Sequence, residues 1–492
     1  MNGGRGSPVF FFYPPLPFYI SSFFEYFIPD HHPKWYALYY SIGLALGLSG
    51  VTCYTLLKNY TQQKYAFFLS LFYILAPFHL LVNFYQRFSY PEIWAFTWTP
   101  LIFYFAIGVF HSQKKATIGL SISYALLLVT HIPTFLILTP LLLIYPITTN
   151  NYIRNLLYVS LSMLYGILLS SFYIFPMIFY QKYISLNKMW EGTYSLYNHF
   201  LSFEKGINNN YFLGLSLINL ILLIICTIIK TPKNKDLSFW ILSGCLSIFM
   251  MFEISSFIWQ SIPLISKIQF PWRLNQITLI ATIVSISIIL NFRNYTINKI
   301  AFVLKLFVIV ILISQVASVF IKLVPFKIQE LSYKQITRVS RETKAKVGVV
   351  EYLPRWSSNE TVLAIHHRKL NKLDNRFNIS GVGQIRILKW LPRDIEMQGS
   401  SNHPFTVTIN QFYLPLWKIR INNAKNYIEA IPGENGMIQV SVPPGNHIIT
   451  LKLVEDVWEV SGKLVSLLAL FLLFIYFPVK VLLQKGKGIN KT

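Results

Sequence analysis

Apolar segments long enough to cross a lipid bilayer recur along this chain. A helix needs about 20 apolar residues to span the hydrocarbon core. Hydrophobic residues make up 54% and charged residues 13% of the 492 residues, and the mean hydropathy is +0.47, values that place the whole chain outside the range of soluble proteins. We predict an all-α polytopic membrane bundle of about 11 transmembrane helices. The segments lie near residues 35–57, 65–82, 92–110, 115–131, 133–149, 155–179, 211–229, 238–256, 274–291, 300–322 and 463–483.

Basic residues predict the orientation of these helices. The net charge is +24, but the Lys and Arg residues fall mostly in short loops, so we interpret them as topology signals and predict no nucleic-acid partner. The loops that alternate with the basic ones then face outward, across a cytoplasmic (inner) membrane. The predicted inner residues are Lys58, Lys64, Lys114, Lys115, Arg154, Lys230, Lys233, Lys235, Arg293, Lys299, Lys485, Lys487 and Lys491.

A polar block before the last apolar segment differs from the rest of the chain. Alternating stretches such as "FTVTIN", "WKIRIN" and "MIQVSV", separated by "PGENG" and "PPGN", predict a small β-rich domain, interpreted as a sandwich. Its start, residues 334–346, is polar and basic. The predicted domains are an outward segment 1–34, a transmembrane domain 35–324, an extracytoplasmic β-rich domain 325–460, and a last helix with a basic cytoplasmic tail, 461–492.

The opening "MNGGRGSPVFFFYPPLP" is predicted to lie outside, although it has no signal-peptide pattern. We therefore expect an N-terminal truncation that removes an upstream helix. The alternative is that residues 9–28 span the membrane themselves, but Pro14, Pro15 and Pro17 interrupt that stretch.

Ionisable residues at membrane depth are candidate site residues, because they are costly there. Arg87 and Glu92 precede or open a predicted span, and helix capping or a simple ion pair is the alternative to a substrate role. Glu253 lies about one turn inside the outer end of the 238–256 segment without a basic neighbour, so we predict that it lines a cavity, with Arg273 opposite. Because Arg87, Glu92, Glu253 and Arg273 share one depth band, we predict that all four line one outward-opening cavity.

The stretch "IPLISKIQFPWRLNQ" supplies two further candidates. Arg273 and Gln269 flank a Pro-Trp pair where an outward loop re-enters the membrane, and a guanidinium there can hold a phosphate by two hydrogen bonds. Interfacial snorkelling is the alternative for Arg273. His131 is a candidate substrate-binding residue and, like His79, has a hydrogen-bonded core histidine as its alternative.

Metal and disulfide signals are weak in this sequence. Asp30, His31 and His32 form a polar corner, but a second carboxylate is missing from it. The three cysteines, at positions 53, 226 and 245, lie inside apolar segments without a CxxC pair. The sequence therefore supports neither a zinc site nor a disulfide framework.

The stretches "GSPVFFFYPPLPFYI", "LAPFHLLVNFYQRFSYPEIWAFTWTPLIF", "LLLVTHIPTFL" and "IPLISKIQFPWRL" occur in this order. Together they resemble the bacterial membrane proteins called 6-pyruvoyl-tetrahydropterin synthase-related, a name that says nothing about their chemistry. These proteins are similar to the wider GT-C class of multi-helix glycosyltransferases. The "QFPWR" stretch is the most specific part of the resemblance, which covers nearly the whole chain.

The resemblance implies a GT-C-like fold and transfer of a sugar from a polyprenyl-phosphate-linked donor to a cell-envelope acceptor on the outer side. It implies a divalent cation, Mg or Mn, and a catalytic carboxylate in the first outward loop, which this chain lacks. Glu92 or Glu253 would then be the catalytic carboxylate, with Arg87, Arg273, Gln269 and His131 binding substrate. A transporter or flippase of lipid-linked sugars and a non-catalytic membrane scaffold are the alternatives, although no internal repeat favours a transporter.

Overall fold

Helices dominate the chain, and a block of strands precedes the last helix. This is a computed structural model, and it describes residues 6, 8–191, 195–203, 207–229, 233–291, 299–323, 350–357, 376–422, 424, 427–433 and 436–488. The predicted polar segment 334–346 and the predicted inner residues Lys230, Arg293 and Lys491 lie outside the described residues. Two compact units emerge, a helical unit (Pro14–Ser171, Gly192–Lys327 and Val465–Thr492) and a β unit (Met1–Tyr13, Phe172–Glu191 and Ile328–Leu464).

The helices are numbered in chain order. They are α1 Val9–Phe12, α2 Leu16–Glu25, α3 Tyr36–Leu57, α4 Gln63–Leu75, α5 Tyr90–Phe110, α6 Ala116–Leu128, α7 Ile132–Ile144, α8 Tyr152–Leu169, α9 Ser171–Tyr180, α10 Ile207–Ile228, α11 Lys235–Phe249, α12 Ser256–Ser261, α13 Pro263–Ser266, α14 Asn275–Asn291, α15 Lys299–Leu323 and α16 Val457–Gly488. A π-helix covers Phe78–Gln86, and 3₁₀ turns include Tyr145–Thr148, Glu253–Ser255 and Pro271–Leu274.

Among the described residues, seven helical segments are long and apolar enough to cross a membrane. They agree with seven of the predicted spans, while the total of 11 stays a prediction. Helices α6 and α7 have 13 residues each, and α11 has 15. The seven are Tyr36–Leu57, Gln63–Gln86, Tyr90–Phe110, Tyr152–Leu169, Tyr211–Ile228, Pro271–Asn291 and Lys305–Leu323.

Two predicted spans have the wrong bounds. The predicted span 155–179 is divided at Ser170, whose hydroxyl donates to the carbonyls of Gly166 and Ala125 at 3.0 and 3.3 Å, and such side-chain bonds compete with the helical ladder. The predicted span 238–256 ends early, because the Met250 carbonyl accepts from Ser255 Oγ and Trp259 Nε1, each at 3.0 Å. These side chains donate to a carbonyl at the end of α11 that a further helical turn would otherwise bond.

The helical unit is built around α14. Almost every residue of this helix is buried, and it packs against α10, α11 and α4. Helix α5 packs against α3 and α6. Since the first turns of α5 and α14 are buried, polar groups there are enclosed by protein.

The β unit contains two antiparallel sheets. One has the order β1-β4-β8-β7 and the other β2-β3-β9-β5-β6, and their inward residues, including Met397, Trp417, Ile438 and Ile449, share one core. This confirms the predicted β-rich block and its alternation. The strands are β1 Phe377–Ser380, β2 Gln384–Leu391, β3 Asp394–Ser401, β4 Phe405–Phe412, β5 Trp417–Ile421, β6 Ile428–Glu429, β7 Ile431–Pro432, β8 Met437–Val442 and β9 Gly445–Leu453.

Two short pieces from elsewhere in the chain complete the β unit. Val9 and Phe12 of the opening segment pack with Tyr180 and Ile184 and with Leu416 beside β5. The Tyr173 hydroxyl donates to the Phe12 carbonyl at 2.7 Å. These residues form a second apolar cluster in the unit, so the opening segment is held by burial.

An ion-pair group lies at the start of α16 in the β unit. Arg393, from the β2–β3 turn, donates to both oxygens of Glu459 at 3.0 and 2.8 Å. Lys463 contacts Glu455 at 2.6 Å and Glu459 at 3.0 Å. A two-bond guanidinium–carboxylate contact is the strongest geometry for such a pair.

Candidate functional site

A break between two helices positions the first half of the site. The segment Phe78–Gln86 is a π-helix and α5 begins at Tyr90; π-helical turns occur frequently at functional sites. Phe88, in the link, has a φ of 48°, a left-handed conformation that is unusual for an aromatic residue. The Ser89 backbone N–H donates to the Asn83 carbonyl at 2.8 Å, so the link folds back against the π-helix.

Glu92, in the first turn of α5, is the centre of the site. Its Oε2 accepts hydrogen bonds from Arg87 Nη1 at 3.1 Å and from Ser89 Oγ at 3.0 Å, and lies 3.7 Å from Arg273 Nε. Its Oε1 is buried and has no hydrogen-bond partner among the described residues. Two guanidinium groups thus face one carboxylate whose side chain is 1% exposed. We call Arg87, Glu92 and Arg273 the arginine–carboxylate cluster.

The second half of the site comes from the segment that precedes α14. Arg273 lies in the turn Pro271–Leu274, and its Nη1 donates to the Ile268 carbonyl at 2.7 Å. Its guanidinium also lies 4.7 Å from the centre of the Phe270 ring. Gln269 has a φ of 71°, and this left-handed backbone conformation costs of order 1–3 kcal/mol. Both halves of the site therefore contain a non-glycine residue in a left-handed conformation.

A buried polar network borders the cluster. The Nδ1 of His131 and the Oγ1 of Thr134 are 2.8 Å apart, and this hydroxyl donates to Gln276 Oε1 at 2.9 Å. Gln276 Nε2 then donates to Thr99 Oγ1 at 2.9 Å. His131 lies close enough to Glu92 for an electrostatic interaction. The network joins α7, α14 and α5, so it holds the helices that carry the site in one arrangement.

Comparison with known proteins identifies the family. A family model for the 6-pyruvoyl-tetrahydropterin synthase related domain, described as a membrane protein, matches residues 10–322, more than half of the chain. The chain belongs to this family. Neither the curated proteins nor the solved structures contain a match. The matched residues of this family member include the whole arginine–carboxylate cluster.

Three of the predicted site residues meet in this family member. Arg87 and Arg273 each contact Glu92, although Arg273 is far from the other two in sequence. Gln269 is half-buried on the same segment as Arg273, and His131 lies near Glu92. Their roles in binding or catalysis stay predictions.

The predicted position of Glu253 is wrong. Helix α11 ends at Phe249, and Glu253 opens an exposed 3₁₀ turn instead of lying inside a span. The chain leaves the helix here because Leu201 bridges Phe252 and its N–H donates to the Met251 carbonyl at 2.8 Å. Its side chain is exposed on the surface of the helical unit, so it lacks the buried setting that the sequence predicted.

Sequence reasoning missed several side chains around the cluster. Asn83 is buried and accepts a hydrogen bond from Arg87 Nη1 at 2.8 Å, while Trp272 lies under the Arg87 guanidinium, 4.1 Å away. Two signals were present in the sequence. Asn83 and Arg87 are spaced i, i+4, and Ser89 with Glu92 matches the S-x-x-E pattern of a helix start.

The described residues contain no group of three or more His, Cys, Asp or Glu side chains able to hold a metal ion. Asp30 forms an exposed ion pair with Lys34 at 3.1 Å, and the centres of the His31 and His32 rings lie 4.3 Å apart, with the ring planes tilted by 44°. This corner offers a metal at most one carboxylate. The buried Glu92 Oε1 is a stronger candidate for contact with a ligand.

Proposed function

We propose that this protein is an integral membrane glycosyltransferase of the GT-C type, which transfers a sugar from a polyprenyl-phosphate-linked donor to an acceptor on the outer face of the membrane. The proposal rests above all on the buried arginine–carboxylate cluster. Two guanidinium groups surround one carboxylate, so the cluster carries excess positive charge in a low-dielectric site. Such a site favours an anion, and arginine matches the geometry of a phosphate group.

The chemistry then divides between the arginines and Glu92. An acceptor hydroxyl attacks the anomeric carbon of the donor sugar, and the bond from that carbon to the phosphate oxygen breaks. The polyprenyl phosphate leaves with the bonding electrons, and Arg87 and Arg273 compensate the charge on it. The acceptor proton passes to Glu92, which the phosphate has freed from its guanidinium partners. Glu253, exposed on its own turn, takes no part.

The site could hold a divalent cation, Mg²⁺ or Mn²⁺, between Glu92 and the substrate phosphate. Mg²⁺ is often held by one or two carboxylates together with substrate phosphates and water. Glu92 Oε1, buried and without a hydrogen-bond partner among the described residues, would be its protein ligand. The cation would supply further charge compensation at the leaving phosphate.

An apolar groove offers a place for the polyprenyl chain. It has a volume of about 570 Å³ and is lined by apolar side chains of α4, α14 and α15, from Tyr65 and Val308 at one end to Leu75 and Phe320 at the other. Leu75 packs in one cluster with Leu80 and Leu81 of the π-helix, the helix that also carries Asn83. The groove therefore ends beside the segment that holds Arg87.

The transfer assay uses membranes containing the full chain, a radiolabelled polyprenyl-phosphate sugar and cell-envelope acceptor. Arg273→Ala should abolish transfer, and Arg273→Lys should retain part of it, since lysine keeps the charge without the planar fork. Arg154→Ala, which removes an exposed arginine from the start of α8, is the matched control. Undiminished transfer by Arg273→Ala would refute the site.

The flippase alternative has a separate readout. In vesicles that carry a fluorescent lipid-linked sugar, a flippase moves the sugar between leaflets without forming a glycosylated product. Arg273-dependent movement without product would replace the transferase proposal by this alternative.

The outer location of the β unit is part of the proposal and has its own test. Single cysteines at positions 400 and 487, in a variant without the three native cysteines, should be labelled by a membrane-impermeant reagent from opposite sides. Labelling of both from the same side would contradict the proposed orientation.

A further inference from the structure

A polar cavity lies at the opposite end of α5 from Glu92. Helix α5 has 21 residues, which places its ends about 30 Å apart. The cavity has a volume of about 340 Å³ and lies where the ends of α3, α5 and α14 meet the start of α11. The cavity lining includes Asn59, Tyr60, Phe110, Tyr145, Thr149 and Asp236.

A chain of hydrogen bonds orients the carboxylate in this cavity. Trp240 Nε1 donates to the Tyr60 hydroxyl at 3.4 Å, and the hydroxyls of Tyr60 and Tyr145 are 2.5 Å apart. An indole can only donate, so Tyr60 is free to pass its own proton to Tyr145. Burial raises the pKa of the Asp236 carboxyl, while hydrogen bonds from the Thr148 and Tyr145 hydroxyls and the nearby His111 act to lower it. These hydrogen bonds orient the carboxylate at the cavity wall.

Asn59 adds an acceptor to this wall, which also carries the imidazole of His111 and the amides of Asn234 and Asn291. Asn59 Nδ2 donates to the carbonyls of Thr55 and Leu56 at 3.3 and 2.9 Å, which leaves the amide oxygen to face a ligand. The Thr149 hydroxyl is engaged on both sides, since it donates to the Pro146 carbonyl at 2.7 Å and accepts from Asn155 Nδ2 at 2.9 Å. The acceptors at the wall are the Asp236 carboxylate and the Asn59 amide oxygen, so a ligand that meets them must bring donors, and an ammonium group brings three. The aromatic rings of Tyr60 and Phe110 line the same space and attract a cation.

Exposed lysines follow or precede the lining residues in sequence. Their ammonium groups favour an anion near the opening, while the interior, with its carboxylate, favours a cation. A ligand that combines an ammonium group with a phosphate ester satisfies both. The lysines are Lys58, Lys114, Lys115, Lys233 and Lys235.

We propose that this cavity binds the headgroup of an ethanolamine phospholipid. Its ammonium group contacts Asp236 and the Asn59 amide oxygen, and its phosphate lies toward the lysines. A lipid is the source because the cavity is formed by the ends of membrane-length helices, where headgroups lie. The site shares no residue with the arginine–carboxylate cluster, so its failure leaves the proposed glycosyltransferase untouched.

The test measures lipid binding to the purified full chain by native mass spectrometry. Phosphatidylethanolamine should bind more tightly than phosphatidylglycerol, which lacks the ammonium group. Asp236→Asn should weaken phosphatidylethanolamine binding about tenfold, the expected loss for a hydrogen bond to a charged group. Asp30→Asn, at an exposed acid of the same unit, is the matched control and should bind as the unaltered chain does.

A second variant keeps the test informative if Asp236→Asn does not fold. Asn59→Leu changes an exposed residue after the end of α3 and should weaken phosphatidylethanolamine binding in the same direction. Equal binding by Asp236→Asn, or phosphatidylglycerol binding as tight as phosphatidylethanolamine, would overturn the proposal. Soluble phosphoethanolamine that binds through Asp236 when the lipid does not would also overturn it, because the source is then not the membrane.

Discussion

The Arg87 guanidinium lies 4.1 Å from the centre of the Trp272 ring. The same guanidinium donates through Nη1 to Glu92 and Asn83. One arginine is thus held on its face by an aromatic ring and at its edge by two oxygens. This contact joins the π-helix link to the segment before α14, and it sets Arg87 in place before any substrate arrives.

Replacing this ring should impair the site. Trp272→Leu removes a cation–π contact worth about 0.5–2 kcal/mol, and we expect transfer activity to fall by a factor of about 2–30. Trp272→Phe keeps an aromatic face and should retain more activity. Assays of membranes normalised for protein amount measure both variants. Equal activity of the Leu and Phe variants would show that the ring has no positioning role.

Glu92 should matter for stability far more than Glu253. Glu92→Ala leaves two guanidinium groups without their buried partner, which costs about 3–5 kcal/mol. Glu253→Ala changes an exposed side chain and should stay within about 0.5 kcal/mol. Thermal unfolding of the purified chain in detergent compares the two. Similar midpoints would contradict the buried position of Glu92.

The opening segment should stabilise the β unit through one of two neighbouring phenylalanines. Phe12 is buried and stacks 6.1 Å from the Tyr352 ring, so Phe12→Ala should cost about 3–5 kcal/mol. Phe10 is 52% exposed, so Phe10→Ala should cost under about 0.5 kcal/mol. Hydrogen exchange of the β-strand amides reports the difference. Unchanged exchange in Phe12→Ala would show that the segment does not support the unit.

The β unit should lose stability in acid through Glu459. Burial would raise the pKa of this carboxyl, but hydrogen bonds from Arg393 and Lys463 outweigh burial and lower the pKa below its ordinary value. The stabilisation is therefore present above the unfolded pKa, about 4.3, and is lost as the pH falls through the lower, folded pKa. Hydrogen exchange of the β strands from pH 6 downward measures this loss. Glu459→Gln should flatten the profile, whereas Asp394→Asn, at a more exposed pair with Lys389, should change it less.

Local patterns predicted much of the architecture. Seven predicted spans agree with helices long enough to cross a membrane, because a bilayer requires one long apolar run for each crossing. The alternation in "FTVTIN" and "MIQVSV" predicted strands β4 and β8, because side chains alternate between the faces of a strand. The ion pair between Arg87 and Glu92, which sequence reasoning offered as the alternative to a substrate role, is present, since the two residues are five apart at one helix start.

Only the tertiary structure decided which distant residues meet. Arg273 reaches Glu92, while Glu253, predicted to join it, lies on an exposed turn. The sequence alone determined the membrane class, most helices and the strand-rich block, because these follow from periodicity within short windows. Which residues form the site was decided by the packing of α5 against its neighbours and by the side-chain hydrogen bonds that end α11 early. Such contacts join residues far apart in sequence, and no local pattern encodes them.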